Sequence, residues 1–313
     1  MSEKRVIFMG TPDFSATVLR ALVQSDYHVV MVVSQPDRPK GRGRHVSMLA
    51  VKETALQLGI TAIYQPENLR SAEAKAPILA CETDYIVTAA FGQLLPDRIL
   101  KHAGIAAINV HASLLPSYRG SAPIHRAILN GDKNTGVTTM LMVHAMDAGD
   151  VLLQQSCAIE PSDNVGSLYV KLAGIGSKLL LETMDGFENK TITPQPQDES
   201  KVTYAAAIKT EDQKINWQES AEQIFNRIRA LNPEPGAFCG FRGKSMKLWD
   251  SSIEAEDGGG TAGEILKADR QGLLVQCGIG RLRLLQIQPA GKNKMEASAF
   301  IRGNIVEKGE LML

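Results

Sequence analysis

Short apolar runs recur along the first part of the chain, at positions 6–9, 29–33, 85–89, 106–111 and 137–142. Between them lie stretches such as 14–22, in which apolar residues recur at helical spacing. Each run is short enough for a strand that is buried on both faces, which is typical of a parallel sheet covered by helices. Strands that alternate with helices predict a doubly wound α/β domain over residues 1–190, with a mostly parallel sheet and a last helix over 165–183.

The pattern changes after residue 190. Residues 191–205 are polar and contain Pro194 and Pro196, which predicts a linker. Ser220 is placed to cap a helix that ends at the proline-rich residues 232–236. The apolar residues of this helix recur at helical spacing and are Ile224, Phe225, Ile228 and Leu231. Short apolar runs then alternate with glycine-rich turns, which indicates a small all-β domain over residues 206–313.

One of the apolar runs continues into two polar residues, Asn109 and His111, that are two positions apart. Side chains alternate faces along a strand, so the amide and the imidazole lie on the same face. Pro116 and Gly120 indicate that the strand ends in a shaped loop. A single Asn or His near a strand end is more often structural. The pair nevertheless predicts a functional site, because open α/β sheets bind ligands at the carboxyl ends of their strands.

Composition narrows the class of protein only slightly. The 34 Lys and Arg residues balance the 34 Asp and Glu residues, so any basic surface must be local. The four cysteines are far apart and form no C-x-x-C pair, which predicts reduced thiols and argues against a zinc cluster or a disulfide framework. No signal peptide and no long apolar span is evident, so we predict a cytoplasmic protein.

Two basic segments are candidates for binding a polyanion. The loop over 35–45 has Asp37 as its only acid and contains Arg38, Lys40, Arg42 and Arg44. Such loops are usually just solvated, but they also suit phosphate contacts. A second set lies in the C-terminal domain, and we predict that it forms one phosphate-binding face. This set comprises Arg242, Lys244, Lys247, Arg281, Arg283, Lys292 and Lys294.

Several segments together resemble the folate-dependent formyltransferases. Residues 109–120, N-V-H-A-S-L-L-P-S-Y-R-G, are similar to the signature of that family, residues 146–150 to its D-x-G loop, and residues 90–96 to its folate-pocket segment. The resemblance covers essentially the whole chain, and residues 10–14 and 35–43 narrow it to members that act on methionyl initiator tRNA. It implies transfer of a formyl group from 10-formyltetrahydrofolate to the amine of that tRNA, without a metal. It also implies that the C-terminal domain is an OB-like barrel.

Formyl transfer to an amine needs donors for an oxyanion and a group that accepts a proton. Asn109 suits polarisation of the formyl oxygen, and His111 can donate to the oxyanion and exchange protons near neutral pH. Asp147 would fix the tautomer of the imidazole and accept the proton of the amine. Asp147 and Asp150 flank Gly149 and only the resemblance chooses Asp147. His125 and His144 are rivals of His111 to which we assign structural or rim positions.

The resemblance also implies where the substrates bind. It places the folate against the turn formed by Ser113, Leu114, Leu115 and Pro116. It lines the pterin pocket with Phe91, Gly92, Gln93, Leu94 and Leu95. The basic loop is expected to meet the acceptor stem of the tRNA, with Arg42 as its main contact, and the protein is expected to be a monomer.

Several alternatives stay open. A glycinamide ribonucleotide formyltransferase would resemble only the N-terminal domain, and a UDP-amino-sugar formyltransferase would lack the basic loop. A formyltetrahydrofolate hydrolase usually carries an extra N-terminal regulatory domain. A non-catalytic RNA-binding protein would explain the basic loop but not the polar strand face. NAD binding is disfavoured, because residues 10–14 lack the second and third glycines of the dinucleotide-binding fingerprint.

Overall fold

The computed structural model describes residues 3–40, 45–254 and 259–313, which form two compact units. The first unit comprises the chain up to residue 123 together with residues 134–158 and 169–206. The second comprises residues 124–133, 159–168 and 207–313. Residues 191–205, predicted to be a linker, therefore group with the first unit, and the domain boundaries stay a prediction.

The first unit contains eleven strands among its described residues. They are β1 (Lys4–Gly10), β2 (Tyr27–Val33), β3 (Pro39–Lys40), β4 (His45–Val46), β5 (Ile63–Tyr64), β6 (Tyr85–Ala89), β7 (Ala106–His111), β8 (Arg119–Gly120), β9 (Asn134–Leu141), β10 (Val151–Ala158) and β11 (Tyr204–Ala205). Seven form one sheet in the order β10-β9-β7-β6-β1-β2-β5. Strands β5, β2, β1, β6 and β7 run parallel, and β9 is antiparallel to both of its neighbours. Strands β3 and β4 pair with each other, as do β8 and β11.

The helices of the described residues fall between these strands and in the second unit. They are α1 (Asp13–Val23), α2 (Ala50–Gln57), α3 (Ala72–Leu79), α4 (Asp97–Leu100), α5 (Pro123–Leu129), α6 (Val165–Glu188), α7 (Thr210–Gln213), α8 (Ala221–Ala230) and α9 (Ala297–Gly303), with a 3₁₀ turn at Glu199–Lys201. Helix α6 ends five residues later than predicted. No helix in the described ranges is both long and apolar enough to cross a bilayer.

Burial along the central strands confirms the doubly wound α/β prediction. Residues 6–9 of β1 and 85–87 of β6 are fully enclosed. Strands with no exposed face belong in the middle of a sheet that is covered on both sides. The carboxyl ends of β1, β6 and β7 lie side by side, because these strands are parallel neighbours. This edge of the sheet is where the polar pair of β7 was predicted to act.

The second unit is built on an antiparallel sheet. Its strands are β12 (Ala237–Phe241), β13 (Lys244–Glu254), β14 (Ile265–Asp269), β15 (Gly272–Gln276), β16 (Arg281–Pro289) and β17 (Met295–Glu296). They pair in the order β12-β13-β16-β15-β14, with β17 on β16. Helix α8 packs its apolar side, including Ile224 and Ile228, into the core of this unit. Its start is capped as predicted, because the Ser220 side chain accepts a hydrogen bond from the N–H of Gln223 at 3.2 Å.

The last residues of the chain join the two edges of this sheet. The N–H of Leu313 donates to the carbonyl of Gly240 in β12 at 2.8 Å. On the other side, the N–H of Ile265 in β14 donates to the carbonyl of Glu310, also at 2.8 Å. Both edge strands are thus paired to one short segment, 310–313, which closes the sheet as a small barrel. The predicted all-β, OB-like C-terminal domain is confirmed.

Candidate active site

Asn109 lies near the end of β7 and is oriented by the neighbouring strand. Thr88 of β6 is its register partner, and the Thr88 hydroxyl donates to Asn109 Oδ1 at 2.7 Å. This hydrogen bond fixes the orientation of the side-chain amide, with Oδ1 towards Thr88, so the Nδ2 hydrogens remain available as donors. Nδ2 faces Asp147 Oδ1 at 3.4 Å. The amide is therefore held by one strong and one long hydrogen bond.

His111 is buried, with 6 % of its surface exposed, and its ring is held by the main chain. Nε2 lies 3.0 Å from the carbonyl oxygen of Tyr118. A carbonyl can only accept, so Nε2 carries a hydrogen and Nδ1 is the nitrogen that gains or loses a proton. Nδ1 lies 3.7 Å from Asp147 Oδ2, within ion-pair range but beyond a direct hydrogen bond. The tautomer is thus set by Tyr118 rather than by Asp147, which differs from the prediction.

Asp147 completes the group from a loop between β9 and β10. Its Oδ2 accepts a hydrogen bond from the N–H of Gly120 at 2.9 Å, and its backbone is left-handed, with φ of 51°. Gly149 passes so close to the sheet that a Cβ there would lie 1.8 Å from the carbonyl oxygen of Leu141. Asp147 is the carboxylate that reaches Asn109 and His111, whereas Asp150 binds the N–H of Leu141 through its main-chain carbonyl. The D-x-G motif thus combines a left-handed backbone at Asp147 with a position, Gly149, that has no room for a Cβ.

The three predicted catalytic side chains therefore meet at one place. The side chains of His111 and Asp147 are only 7 % and 14 % exposed. Charges and dipoles act more strongly on one another when water is largely excluded. An amide donor, a titratable nitrogen and a carboxylate in such surroundings can polarise a carbonyl group and accept a proton from an attacking nucleophile.

The turn after β7 is fixed by hydrogen bonds to the neighbouring strands. The Ser113 hydroxyl donates to the carbonyl of Ser117 at 2.6 Å, and the hydroxyl of Thr138 donates to the carbonyl of Ser113 at 2.7 Å. The carbonyl of Leu115 accepts from Gln154 Nε2 at 2.7 Å. Ser113 and Leu115 are buried, while Leu114 and Pro116 are half-buried. Ser113 thus shapes the turn, and its contact with folate stays a prediction.

The predicted pterin-pocket residues divide into two kinds. Phe91 and Leu95 are each 4 % exposed and belong to the core of the first unit. Leu94 is 63 % exposed, Gly92 is exposed and Gln93 is half-buried. Gly92, Gln93 and Leu94 can therefore contact a ligand without rearrangement. We expect the buried Phe91 and Leu95 to hold this loop in place rather than to contact the folate.

The rival histidines have other surroundings. His144 is 82 % exposed, and its Nδ1 lies 3.2 Å from a carboxylate oxygen of Asp97. His125 lies in α5, where burial lowers its pKa. Neither position gives a reason to replace His111 in the candidate site.

The basic loop begins at a well-anchored residue. The Asp37 carboxylate accepts from Lys52 Nζ and, at 3.2 Å, from the N–H of Leu49. Desolvation opposes ionisation of Asp37, but these bonds outweigh it and lower its pKa. Arg38 is exposed and pairs with Glu67 at 3.3 Å, and Lys40 lies in β3. Arg42 and Arg44 lie outside the described residues.

The second basic set is spread along the pair of strands β13 and β16. Strand register places Arg281 and Arg283 opposite Glu254 and Ser252, at the other end of β13 from Lys244. Arg283 is only 6 % exposed. It is bound by Glu254 at 2.5 Å and by Asp269 at 3.1 Å. Its guanidinium is thus paired inside the fold, which disfavours the phosphate contact predicted for Arg283.

Four other members of the set differ in how available they are to a ligand. Arg242 makes a bidentate pair with Glu310, at 2.6 and 2.5 Å, and so helps to hold the barrel-closing segment. Lys244 is exposed. The Nζ atoms of Lys247 and Lys294 both lie over the ring of Trp249, at 5.3 and 5.6 Å from its centroid. Trp249 itself is only 9 % exposed, and Lys247 Nζ also donates to the carbonyl of Pro235 at 2.7 Å. The ammonium groups, rather than the face of the ring, are therefore what this surface offers to a polyanion.

Comparison with known proteins accounts for this arrangement. The family model described as formyl transferase matches residues 4–184, and the model of the formyl transferase C-terminal domain matches residues 207–304. The chain belongs to the formyltransferase family. A relative from Bacillus subtilis (strain 168), named methionyl-tRNA formyltransferase, is 46 % identical over 98 % of this chain and 97 % of its own.

Two solved structures share the fold. An N-formyltransferase from Helicobacter canadensis, in complex with folinic acid and dTDP-3-aminofucose, matches with a TM-score of 0.66 and 17 % identity, over 92 % of this chain and 99 % of its own. HypX from Aquifex aeolicus in complex with tetrahydrofolic acid matches with a TM-score of 0.67 and 18 % identity. That match covers 100 % of this chain and 51 % of the HypX chain. The family predicted from the sequence is confirmed.

Three contributors to the site have no clear signal in the sequence. Thr88 is one polar residue in a buried apolar strand, and its position opposite Asn109 could be inferred only from strand register. The carbonyl of Tyr118 is a main-chain group with no sequence signature. Gln197 lies in the stretch predicted to be a linker, and its side chain donates to the main-chain carbonyls of Asp147 and Gly149. Within the described ranges, no group of three or more His, Cys, Asp or Glu could hold a metal ion.

Proposed function

We propose that this formyltransferase moves the formyl group of 10-formyltetrahydrofolate to the α-amino group of methionyl initiator tRNA. The grouping of Asn109, His111 and Asp147 at the end of β7 carries the chemical part of this proposal. The substrate assignment draws on the relative from Bacillus subtilis, whose name includes methionyl-tRNA and which matches over nearly its whole length.

In the proposed reaction the amine nitrogen attacks the formyl carbon. The carbonyl oxygen becomes an oxyanion, and Asn109 Nδ2 supplies a hydrogen bond to it. Thr88 holds this amide so that a donor, and not the oxygen, faces the developing charge. Donors of this kind typically contribute about 100- to 1,000-fold in rate.

The attacking nitrogen must also lose a proton. Asp147 accepts it, directly or through water, and His111 Nδ1 lies close enough to Asp147 to stabilise or relay the charge. General-base help of this kind is worth about 100- to 10,000-fold. The bond from the formyl carbon to N10 then breaks, the electron pair stays on N10, and N10 takes up a proton as tetrahydrofolate leaves. No covalent bond to the enzyme is required.

The folate is proposed to bind between the turn at residues 113–116 and the exposed part of the loop at 91–95. The apolar side chain of Leu94 is available to a flat heterocycle. For the tRNA, the proposed contacts are the basic loop, with Arg42 foremost, and in the second unit Lys244 and the lysines around Trp249. We further propose that the protein acts in the cytoplasm, as a monomer and without a metal.

The test is transfer of labelled formyl from 10-formyltetrahydrofolate to charged initiator methionyl-tRNA. Elongator methionyl-tRNA and a UDP-amino-sugar are assayed alongside. Initiator-selective transfer is the expected result. Transfer only to the sugar would keep the catalytic assignment and overturn the RNA partner. Formate release without transfer to any acceptor would indicate a hydrolase.

A further inference from the structure

A single side chain, that of Gln197, joins two loops of the active site. Its Nε2 donates to the carbonyl oxygens of Asp147 at 2.8 Å and of Gly149 at 2.7 Å. Its Oε1 accepts from Arg119 Nε at 3.0 Å and from Arg119 Nη2 at 2.8 Å. Carbonyls only accept and a guanidinium only donates, so the orientation of this amide is unambiguous. Both hydrogens and both lone pairs of the amide are used.

The first loop that Gln197 holds is the one that presents Asp147. Asp147 adopts a left-handed backbone conformation, which a non-glycine residue keeps only when its surroundings enforce it. The two bonds from Gln197 grip this loop on both sides of Ala148, at the carbonyls of residues 147 and 149. The carboxylate of Asp147 is carried on that same turn, so its distance to His111 depends on the grip.

The second loop is the one that holds His111. Tyr118, whose carbonyl binds His111 Nε2, immediately precedes Arg119 in the chain. Arg119 is only 4 % exposed, and besides Gln197 it binds Glu199 at 2.8 Å. A buried guanidinium stays in place only while its partners are present. Gln197 is therefore linked to both members of the His111–Asp147 pair, to Asp147 through its loop and to His111 through Arg119 and Tyr118.

We propose that Gln197 is a positioning residue for formyl transfer, setting the geometry between Asp147 and His111 without touching either substrate. This inference rests on the proposed function. It predicts an effect on the chemical step rather than on binding, because small misplacements of catalytic groups lower the rate of reaction by up to about 100-fold.

Two substitutions separate positioning from simple packing. Gln197→Met keeps the length of the side chain and removes all four hydrogen bonds. Gln197→Glu keeps acceptors for Arg119 but sets a carboxylate oxygen against the carbonyls of residues 147 and 149. If the grip on the Asp147 loop matters, the glutamate variant is at least as impaired as the methionine variant. Gln195→Met is the matched control, since Gln195 is exposed and its side chain binds only the carbonyl of Thr193.

The experiment compares kcat, KM values, single-turnover rates and pH–rate profiles of the three variants and the parent protein, with melting temperatures measured in parallel. We expect kcat to fall by about 10- to 100-fold in both Gln197 variants, with KM for folate and tRNA within about twofold. The pH–rate profile should shift, because it reports the groups that exchange the proton. The control should match the parent protein.

Two results would overturn the inference, and a third concerns the proposed function alone. Parental kcat in Gln197→Met would remove the positioning role. Loss of activity that only parallels loss of folded protein, with an unchanged pH–rate profile in the folded fraction, would make Gln197 a packing residue. If the parent protein itself transfers no formyl group to the tRNA, the proposed function fails whatever the variants do.

Discussion

The Nε2–H of His111 donates to the main-chain carbonyl of Tyr118 at 3.0 Å, so the tautomer of this histidine is set by backbone. No substitution of the Tyr118 side chain removes the acceptor. Tyr118 itself has a left-handed φ of 63°, which the neighbouring loop must maintain. The orientation of the imidazole thus depends on the path of the chain between residues 113 and 120 more than on any one side chain.

The first prediction concerns the amide of Asn109. Removing the amide in Asn109→Ala should lower kcat by about 100- to 1,000-fold, because a donor to the oxyanion is lost. Thr88→Val keeps the amide but frees it to rotate, and should lower kcat by about 10-fold. Thr139→Val is the control, since Thr139 is buried and its hydroxyl bonds that of Thr183 at 2.7 Å. A fall in kcat equal to that of Thr88→Val in this control would show that the effect is general loss of sheet stability.

The second prediction compares two glycines. A Cβ at Gly149 would meet the carbonyl oxygen of Leu141 at 1.8 Å, so Gly149→Ala must displace the Asp147 loop and abolish most activity. Gly174 lies inside α6 with nothing within 4 Å of a Cβ. Gly174→Ala should raise the free energy of unfolding by about 0.5–1 kcal/mol. Urea unfolding and the transfer assay on both variants test this, and an active Gly149→Ala protein would contradict it.

The third prediction separates structural from RNA-binding cations. Arg283→Met removes the cationic partner of Glu254 and one of the two cationic partners of Asp269, and should lower the free energy of unfolding by about 1–3 kcal/mol. Lys244→Ala changes an exposed residue and should alter stability by less than about 0.5 kcal/mol.

For tRNA binding the larger effect should come from Lys244→Ala and the smaller from Arg283→Met. Lys244→Ala should weaken binding and reduce the salt slope by about 0.9 if its ammonium contacts a phosphate. Folded Arg283→Met should keep the parental slope. Filter binding over a range of salt concentrations measures both, and an unchanged slope in Lys244→Ala would remove Lys244 from the RNA surface.

The fourth prediction concerns alkaline stability of the second unit. Burial raises the pKa of Cys239 and of Cys277 to about 12. In the unfolded chain the pKa of a thiol is about 8.5. Below that pH both states keep the thiol protonated and stability does not depend on it. Between about 8.5 and 12 only the unfolded chain loses the proton, so the free energy of unfolding falls as pH rises. Each thiol should reduce the free energy of unfolding by about 1.4 kcal/mol per pH unit over this range.

The measurement is urea unfolding between about pH 8 and pH 10, for the parent protein and the double variant Cys239→Ala/Cys277→Ala. The double variant should lose stability less steeply with pH. Cys81→Ala, at a half-buried thiol, is the control. If the free energy of unfolding falls equally steeply with pH in the parent protein and the double variant, other groups cause the loss of stability at high pH.

The strand end that carries Asn109 and His111 could be predicted because two-residue spacing in a strand has only one geometric meaning. The closure of the barrel by residues 310–313 could not, since main-chain pairing over such a separation leaves no local pattern. The pairing of Arg283 could not be predicted, for a related reason. A basic residue in a strand looks the same in sequence whether it faces solvent or two carboxylates, and only register decides.

The role of Gln197 was hidden by its neighbours. Residues 191–205 are polar and rich in proline, as connecting segments are, yet they add the short strand β11 to the first unit. The composition of such a segment indicates only that it has no hydrophobic core of its own. It gives no sign that Gln197, fifty residues from Asp147 in the chain, is hydrogen-bonded to the loop that carries Asp147.

This segment has a practical consequence for dividing the polypeptide. A fragment that stops at residue 190 would retain Asn109, His111 and Asp147 but would leave Arg119 buried without Gln197 and Glu199, and β8 without β11. A fragment that ends at residue 206 keeps these partners. Trimming such a fragment from residue 206 back to residue 190 should therefore disturb the loop that holds His111 while leaving every predicted catalytic side chain in the chain.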